Sequence, residues 1–328
     1  MKFLIAGAGA IGAYLGACMH RAGEDVTLFA RGPHLHAMEA NGVRVLSAEG
    51  DFEARPQIIG TLEGAGPFDV IILGVKAHSL TQFVPQLMPL IGDAATVVST
   101  ENGIPWWYFQ LGAGEFSGIT LERVDPGGVI GKSIDPHRVV GSLVYLATEV
   151  VEPGVIRHTE GNRISLGEPD GTRSERSGLI SESLAKAGFK CPVTPRIRTE
   201  IWVKILGNVA FNPISALTRA TVVQMVRDPD MSALVRKIMG EVEAVANKLG
   251  IELPISIEKR IAGAEKVGEH RTSMLQDLEA GRPLELEPVV GAVLEIAERL
   301  GVPMPGTQAV YACTKLLERT AVKARSSP

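Results

Sequence analysis

Residues 7–12 read Gly-Ala-Gly-Ala-Ile-Gly, and this glycine-rich turn limits the folds that the chain can adopt. An apolar run typical of a buried parallel strand, residues 3–6, precedes the turn, and mostly small residues typical of a helix follow it as far as Gly23. Residues 26–30 predict a second strand. Strand, glycine turn, helix and strand within about 30 residues predict a βαβ unit and an α/β fold.

Each glycine of the turn has a physical role in a dinucleotide site. Gly7 permits the tight turn, Gly9 leaves room for a pyrophosphate, and Gly12 lets the helix pack closely on the strand. The phosphates would then meet the helix N-terminus at Ala10 and Ile11, where N–H groups and the helix dipole favour an anion. A packing motif of small residues is the alternative, but the flanking strand and helix favour dinucleotide binding.

The end of the second predicted strand indicates which dinucleotide is bound. An NAD site usually places Asp or Glu there, about 20 residues after the glycines, to bind the ribose 2′-hydroxyl. Here that place reads Phe29-Ala30-Arg31 without a carboxylate, and His34 and His36 follow. Because a cation suits the additional phosphate of NADP, we predict NADPH as the cofactor; the alternative is a solvated surface arginine.

The remainder of the first half continues to alternate between strand and helix patterns. A hairpin is expected at residues 43–46 and the segment after Gly50, and Arg31 opens a Gly-Pro turn. Further strands are expected at residues 70–75, 96–100, 143–147, 154–157 and 163–166, and helices at 79–90 and 176–187. This alternation predicts a parallel sheet with helices on both faces.

Strand patterns end at about Thr199, and five or six helices are expected after it. They are separated by Pro213, Pro229 and the segments 250–254, 281–283 and 301–305, each of which begins with glycine and ends with proline. The predicted fold is therefore a Rossmann-type doubly wound sheet followed by an all-α C-terminal domain. We place the domains at residues 1–195 and 196–328, and a length of 328 residues suits two domains of roughly 100–200 residues each.

Composition argues against several other classes of protein. The 33 basic and 37 acidic residues give a net charge of −4, which argues against a nucleic-acid partner. No apolar run reaches the roughly 18–20 residues of a membrane span. The three cysteines, Cys18, Cys191 and Cys313, form neither a disulfide framework nor a metal-binding group. We therefore predict a soluble cytoplasmic protein without a metal site.

Several polar residues are candidates for chemistry. Lys76 and Asn102 each follow a buried strand and could face the cofactor, although either could be an ordinary loop or cap residue. Lys204, Asn208 and Asn212 are spaced i, i+4 and i+8 and form one polar stripe on an otherwise apolar helix. Polar groups in such surroundings need partners or a wet cleft. They predict a proton-donating lysine beside amides that orient a substrate; solvated surface residues are the alternative.

Two later residues become functional candidates only when they are considered together with these polar residues. Ser273 lies in a predicted helix, and Glu285 begins the next one after a Gly-Arg-Pro turn. Helix capping and the helix dipole explain a serine and a glutamate at such places without any function.

Together these motifs resemble the ketopantoate reductase (2-dehydropantoate 2-reductase) family in order and spacing. The resemblance covers essentially the whole chain and rests on residues 7–12, Lys76, Asn102-Gly103, Lys204 with Asn208 and Asn212-Pro213, the Ser-Met-Leu-Gln-Asp run from Ser273, and Glu285. It implies an active site in the cleft between a Rossmann domain and a helical domain. It also implies NADPH-dependent reduction of 2-dehydropantoate to (R)-pantoate, a step towards pantothenate.

The resemblance implies roles for individual residues. Lys204 would be the general acid, and Glu285 would support it. Substrate would be held by Asn208, Asn212, Ser273 and the cofactor-facing Asn102, and NADPH by Arg31, Lys76, Asn102 and, as a weaker match, a backbone group near Val150.

Departures from the family pattern leave the substrate open. Val290 stands where the family usually has asparagine, His270 replaces another frequent asparagine, and residues 106–135 enlarge a region that is shorter in many members. The alternatives are a reductase of another 2-oxo acid or imine, or a dinucleotide-binding sensor without turnover. The apolar C-terminal helices would suit a homodimer.

Overall fold

The computed structural model describes residues 1–92 and 94–326, which form two compact units. The first unit comprises Met1–Glu101, Pro105–Thr120 and Gly127–Ile197. The second comprises Asn102–Ile104, Leu121–Pro126 and the chain from Arg198 onward. Two short segments, 102–104 and 121–126, therefore belong to the second unit before its long C-terminal part begins. The predicted division into residues 1–195 and 196–328 does not include these two segments.

The first unit contains one nine-stranded sheet. Its strands are β1 (Lys2–Ala6), β2 (Asp25–Phe29), β3 (Val43–Ser47), β4 (Phe52–Ala54), β5 (Gln57–Ile59), β6 (Val70–Leu73), β7 (Thr96–Ser99), β8 (Val139–Glu152) and β9 (Val155–Gly167). They lie in the order β4-β3-β9-β8-β7-β6-β1-β2-β5. The run from β8 to β5 is parallel throughout.

The register of the central strands aligns their carboxyl ends. Ala6 pairs with Phe29 on one side and with Leu73 on the other, and Leu73 pairs with Ser99. The chain continues from β1 to β2 on one side, whereas β6 lies on the other side of β1. This change of direction is the switch point at which open α/β sheets bind ligands, and the glycine-rich turn after β1 lies there.

The sheet is mixed, which corrects the expectation of a purely parallel one. Strands β8 and β9 form one long antiparallel hairpin, and β3 pairs with β4 antiparallel. The three short strands predicted after residue 140 are parts of that hairpin. The register of this hairpin is irregular around Gly161, which has φ +82° and lies so close to the Tyr145 carbonyl that a Cβ would overlap it. Such an irregularity interrupts the alternation of apolar residues from which a strand is predicted. The Rossmann-type class with a helical C-terminal region is confirmed.

Helices cover the sheet of the first unit. They are α1 (Ala10–Arg21), α2 (Gly32–Asn41), α3 (Ala77–Ile91), α4 (Val129–Ser133) and α5 (Glu175–Lys186). Phe3 and Ile5 join the buried cluster formed with α1 and α5, while Phe83 of α3 stacks on Phe29. The turn expected after Arg31 was wrong, because Pro33 lies in the first turn of α2, a position that its missing N–H group suits.

The four consecutive aromatic residues 106–109 belong to the core of the first unit. Trp106, Trp107, Tyr108 and Phe109 are each at most 3% exposed. The Trp107 indole N–H donates to the Ser99 hydroxyl at 2.8 Å, and the indole lies over Gly141, where a Cβ would come within 2.5 Å of it. Core packing accounts for these four aromatic residues, which the sequence analysis assigned to an enlarged region that leaves the choice of substrate open.

The second unit is helical. It contains α6 (Ile197–Thr218), α7 (Val222–Arg227), α8 (Pro229–Lys248), α9 (Ile257–Val267), α10 (Ser273–Glu279), α11 (Ala292–Leu300) and α12 (Pro305–Ser326), with a π-turn at Glu287–Gly291 directly before α11. No helix within residues 1–92 and 94–326 combines the length and apolarity that crossing a membrane requires.

The predicted number of five or six helices is too small, since the described part of this unit has seven. Asp228 ends α7 and at the same time accepts the Met231 N–H that begins α8, so two helices follow each other without a loop. Pro213 lies inside α6 rather than ending it. Neighbouring buried side chains such as Phe211 and Ile214 hold the helix together across the hydrogen bond that proline cannot make.

Candidate active site

The turn after β1 is built by close backbone approaches that only glycine allows. Gly7 has φ +115°, and a Cβ there would lie 2.8 Å from the Val75 nitrogen. A Cβ on Gly12 would overlap the Gly7 carbonyl oxygen, and so would a Cβ on Gly74. Gly74 was not predicted as a site residue. Its signal in the sequence is a glycine placed directly after a buried strand that neighbours β1.

The space in front of this turn suits a diphosphate. A Cβ on Gly9 would meet no atom within 4 Å, so the region before the first turn of α1 is open. Gly9 is the N-cap of this 12-residue helix and provides no side-chain cap, and its carbonyl accepts the first helical bond from Ala13. Helix geometry leaves the N–H groups of Ala10 and Ile11 without an acceptor inside the helix. These residues therefore fit the phosphates of a dinucleotide.

Arg31 is the N-cap residue of α2 and lies two residues after the end of β2. Its side chain is exposed, and its guanidinium carbon lies 5.8 Å from the ring centroids of both Phe29 and Phe83. An arginine held near two aromatic rings loses less conformational freedom when it binds an anion than one on an open surface.

The two histidines named with Arg31 have other contacts. His34 accepts the Gly154 N–H at its Nδ1 atom at 2.9 Å, and burial lowers the pKa of this imidazole. His36 is exposed, and its Nδ1 atom lies 3.5 Å from a carboxylate oxygen of Glu39. His34 thus links α2 to the β8–β9 hairpin as a neutral side chain rather than adding positive charge beside Arg31.

Two further predicted cofactor residues lie elsewhere in the first unit. Lys76 is half-buried in the turn between β6 and α3, at the aligned carboxyl edge of the sheet. Val150 is 40% exposed on β8, where it pairs with Ile156 of β9. The position of Lys76 suits a cofactor contact, and the roles of both residues stay predictions.

In the second unit, Lys204 of α6 has an unusual electrostatic environment. Burial lowers the pKa of its ammonium group from the usual 10.5 to about 8, and the negative charge of Glu285 acts in the opposite direction. Burial disfavours the charged form, and a nearby carboxylate favours it. A lysine with a pKa near 8 is protonated at neutral pH yet releases its proton far more readily than a surface lysine.

Amide side chains lie on the same helix as Lys204. The Asn208 Nδ2 group donates to the Asn102 Oδ1 atom at 3.0 Å, although the two residues are 106 positions apart. Asn212 lies one turn further along α6 and is 6% exposed. The structure therefore assembles Asn102 with the polar stripe of α6, which follows from the inclusion of residues 102–104 in the second unit.

Asn102 is positioned by its neighbours. Gly103 has φ +96°, and a Cβ there would overlap the Pro288 carbonyl oxygen and lie 2.8 Å from the Val289 nitrogen. The Ile104 N–H donates to the same Pro288 carbonyl at 2.9 Å. Glycine is therefore required at position 103, because only glycine lets the backbone next to Asn102 pack directly against the π-turn. The Asn102-Gly103 motif by itself does not indicate this role.

The remaining predicted residues are less closely tied to this group. Ser273 is exposed at the first position of α10, where Thr272, not Ser273, caps the helix by accepting the Leu275 N–H. Glu285 precedes the π-turn and accepts the Val289 N–H at its carbonyl oxygen. Val290 is fully buried, so packing accounts for an apolar residue at that position.

A glycine turn at the aligned ends of parallel strands is typical of a dinucleotide-dependent oxidoreductase, and a buried lysine of lowered pKa suits proton transfer. Models of the ketopantoate reductase PanE/ApbA family match residues 3–171, and models of its C-terminal part match residues 196–318. The chain belongs to the ketopantoate reductase family.

Individual relatives agree with this assignment. A 2-dehydropantoate 2-reductase of Mesorhizobium japonicum is 49% identical over 318 residues, which are 97% of this chain and 98% of the relative. The crystal structure of a protein from Ralstonia solanacearum MolK2 that is assigned as a ketopantoate reductase superimposes with a TM-score of 0.93 at 37% identity, and the match covers 98% of both chains. D-mandelate dehydrogenase, solved with NADH, has a TM-score of 0.85 at 22% identity and shares the fold; it covers 98% of this chain and all of its own.

The two glycines of α1 provide a matched test of the phosphate site. In Gly12→Ala the new methyl group meets a backbone carbonyl that cannot yield, so the turn must move, and we expect dinucleotide affinity to fall about 10-fold or more. In Gly16→Ala the methyl group meets the Leu28 side chain, and we expect lower stability with unchanged affinity. Fluorescence titration with NADPH, together with thermal unfolding, measures both. Equal affinities for the two variants would contradict the assignment of the turn.

Proposed function

We propose that this protein reduces 2-dehydropantoate to (R)-pantoate with NADPH, on the route to pantothenate. The lowered pKa of Lys204 is the observation that carries the proposal, because a reductase needs a group that protonates the oxygen of the carbonyl at neutral pH. Membership of the ketopantoate reductase family and the 49% identical relative named 2-dehydropantoate 2-reductase support the choice of substrate.

The chemical step follows from these residues. A dinucleotide held at the glycine turn would supply the hydride that reduces C2 of the substrate. Lys204 donates a proton to the oxygen on C2, which becomes the hydroxyl group. Glu285 keeps a larger fraction of Lys204 protonated than burial alone would, because its charge opposes the effect of burial on the Lys204 pKa. Water then restores the proton to Lys204 after the product leaves.

Substrate orientation is assigned to the amides and to Ser273. Since Asn208 donates to Asn102, this pair presents amide N–H groups from Asn102 and an amide oxygen from Asn208 to a substrate. Such a set suits a molecule that carries both a carboxylate and a hydroxyl group. Asn212 extends the polar stripe, and Ser273 adds a hydroxyl that can donate or accept. Holding the substrate in one orientation fixes which face of C2 receives the hydride.

The preference for NADPH over NADH rests on Arg31. The end of β2 has a cation and no carboxylate, and a guanidinium binds phosphate with paired N–H groups. A cytoplasmic location and a homodimer are further parts of the proposal, supported by the separated cysteines and the apolar C-terminal helices.

The competing functions are separable by assay. A reductase of another 2-oxo acid or imine would oxidise NADPH faster with a different member of an oxo-acid panel than with 2-dehydropantoate. A sensor without turnover would bind NADPH and oxidise it with none of them. His270, which is half-buried and donates its backbone N–H to Gly268, is the remaining sequence departure near Ser273 that favours a different substrate.

Removal of the acid tests the chemical role. We expect Lys204→Ala to lower kcat by about 10²–10⁴-fold, the usual contribution of general acid catalysis, while NADPH still binds. Steady-state oxidation of NADPH measures kcat, and fluorescence titration measures binding. Lys248→Ala, an exposed lysine of α8 in the same unit, is the matched control and should retain wild-type turnover. Near-normal turnover by Lys204→Ala would refute the assignment.

The pKa of Lys204 also predicts a pH profile. Only the protonated amine can donate, so kcat/KM should be constant below neutrality and fall as pH rises through about 8. An unburied lysine would place this decline near 10.5. Initial rates between pH 6 and about 10 at saturating NADPH measure the profile. A constant rate up to pH 10 would show that another group is the acid.

Charge reversal at the end of β2 tests the cofactor preference. We expect Arg31→Asp to weaken NADPH binding by about 10-fold or more and NADH binding far less, because only NADPH carries the 2′-phosphate. Dissociation constants for both dinucleotides give the ratio. Arg44→Asp, an exposed arginine of β3, changes the net charge equally and should leave the ratio unchanged. Equal weakening of both dinucleotides in Arg31→Asp would contradict the 2′-phosphate assignment.

A further inference from the structure

Glu287 opens the π-turn and lies at the centre of a compact polar cluster in the second unit. The Tyr311 hydroxyl donates to its carboxylate, 2.8 Å from Oε1, and the Lys315 ammonium group donates to Oε1 at 2.7 Å. The Arg123 guanidinium donates to Oε2 at 3.3 Å and to the Tyr311 hydroxyl at 3.0 Å. One half-buried carboxylate therefore joins the π-turn to α12 and to the segment Leu121–Pro126.

The sequence makes room for this carboxylate. A Cβ on Gly291, the last residue of the π-turn, would overlap the Oε2 atom of Glu287 and lie 3.6 Å from the Arg123 side chain. Gly291 has φ −57°, which any residue adopts, so the turn does not need glycine for its backbone. Glycine at this position is explained by the space that the Glu287 carboxylate occupies.

Arg123 is itself held in place from a second side. The Glu295 carboxylate of α11 accepts the backbone N–H groups of Glu122 and Arg123, at 3.1 and 2.9 Å. Arg299 donates to the same carboxylate at 2.8 Å. The main chain that carries this guanidinium is therefore held in place, which reduces the freedom that Arg123 loses on pairing with Glu287.

Backbone hydrogen bonds join the π-turn to segments that carry two groups of the proposed active site. Glu285 lies two residues before Glu287, and its carbonyl accepts the Val289 N–H within the turn. The Pro288 carbonyl accepts the N–H of Ile104, two residues after Asn102. A π-turn holds one more residue than an α-helical turn and is a strained element that persists where its surroundings stabilise it. Its shape therefore affects both the Glu285 carboxylate and the Asn102 amide.

We infer that Glu287 is a positioning residue for the reaction: held by Arg123, Tyr311 and Lys315, it fixes the π-turn that places Glu285 beside Lys204 and Asn102 beside Asn208. This inference rests on the proposed function, because it takes Lys204, Glu285 and Asn102 as functional groups. Glu287 itself touches neither substrate nor cofactor in this scheme.

Loss of the Glu287 charge tests the inference. Glu287→Gln keeps the size of the side chain but turns an amide group towards two cations, so the turn relaxes and Glu285 moves from Lys204. The pKa of Lys204 then falls, because Glu285 raises it. We expect the alkaline decline of kcat/KM to move down by about 1 pH unit, the effect of losing a nearby opposite charge. We also expect KM for the oxo acid to rise about 10-fold as Asn102 shifts.

Two further variants separate positioning from loss of folding. Glu287→Asp keeps the charge and should keep the alkaline decline near the wild-type pH. Gly291→Ala retains Glu287 but displaces its carboxylate, and should shift the decline in the same direction as Glu287→Gln.

Glu241→Gln is the matched control for a structural glutamate. The Glu241 carboxylate accepts the Gly306 and Thr307 N–H groups at 2.9 and 2.8 Å and so caps α12 in the same unit. This variant should unfold at a lower temperature with an unchanged pH profile. If Glu287→Gln behaves as Glu241→Gln does, with lower stability and an unmoved profile, the cluster is only structural and the inference is overturned.

A measurement without turnover distinguishes the inference from the proposed function. The rate at which an acylating reagent modifies Lys204 depends on its unprotonated fraction, and peptide mass spectrometry reads this rate against pH. A shift in Glu287→Gln supports the positioning role even if the enzyme reduces no tested oxo acid. Wild-type reduction of 2-dehydropantoate with no shift in the variant overturns the inference and leaves the proposed function standing.

Discussion

Contact between backbones at Gly7 is the constraint on which the first unit depends. Both Gly12 of α1 and Gly74 after β6 approach the Gly7 carbonyl, and neither approach leaves room for a Cβ. This contact holds the start of α1 against the sheet at β1, the strand where the order of the strands changes direction. The open space before Gly9 is a consequence, because the helix N-terminus then points along the aligned carboxyl ends of the strands.

Charge balance has the corresponding role in the second unit. Burial and the Glu285 carboxylate act on the Lys204 pKa in opposite directions, and their difference sets a value of about 8. A carboxylate placed to maintain such a balance must be held accurately, since the interaction changes with distance. In the Glu287 cluster, two residues along the chain from Glu285, Lys315 and Tyr311 both donate to one carboxylate.

Local patterns predicted much of the fold, and their failures have physical causes. The strands β1, β2, β6 and β7 were found because continuous apolar runs mark strands buried on both faces. The β8–β9 hairpin was divided into three pieces, since polar residues and a bulge at Gly161 interrupt its pattern. Pro213 was read as a helix end although it lies inside α6, where tertiary packing outweighs one missing hydrogen bond. The roles of Arg31, Ser273 and the other predicted site residues remain predictions.

The sequence by itself determined the phosphate turn, the polar stripe of α6 and the family, because glycine spacing and i, i+4 spacing are local properties that no later contact alters. Tertiary structure alone decided three further features. It brought Asn102 to Asn208 across 106 positions, lowered the pKa of Lys204 by burial, and buried the aromatic residues 106–109 in a core. Each depends on which distant segments exclude water or share a hydrogen bond, and a linear pattern does not contain that information.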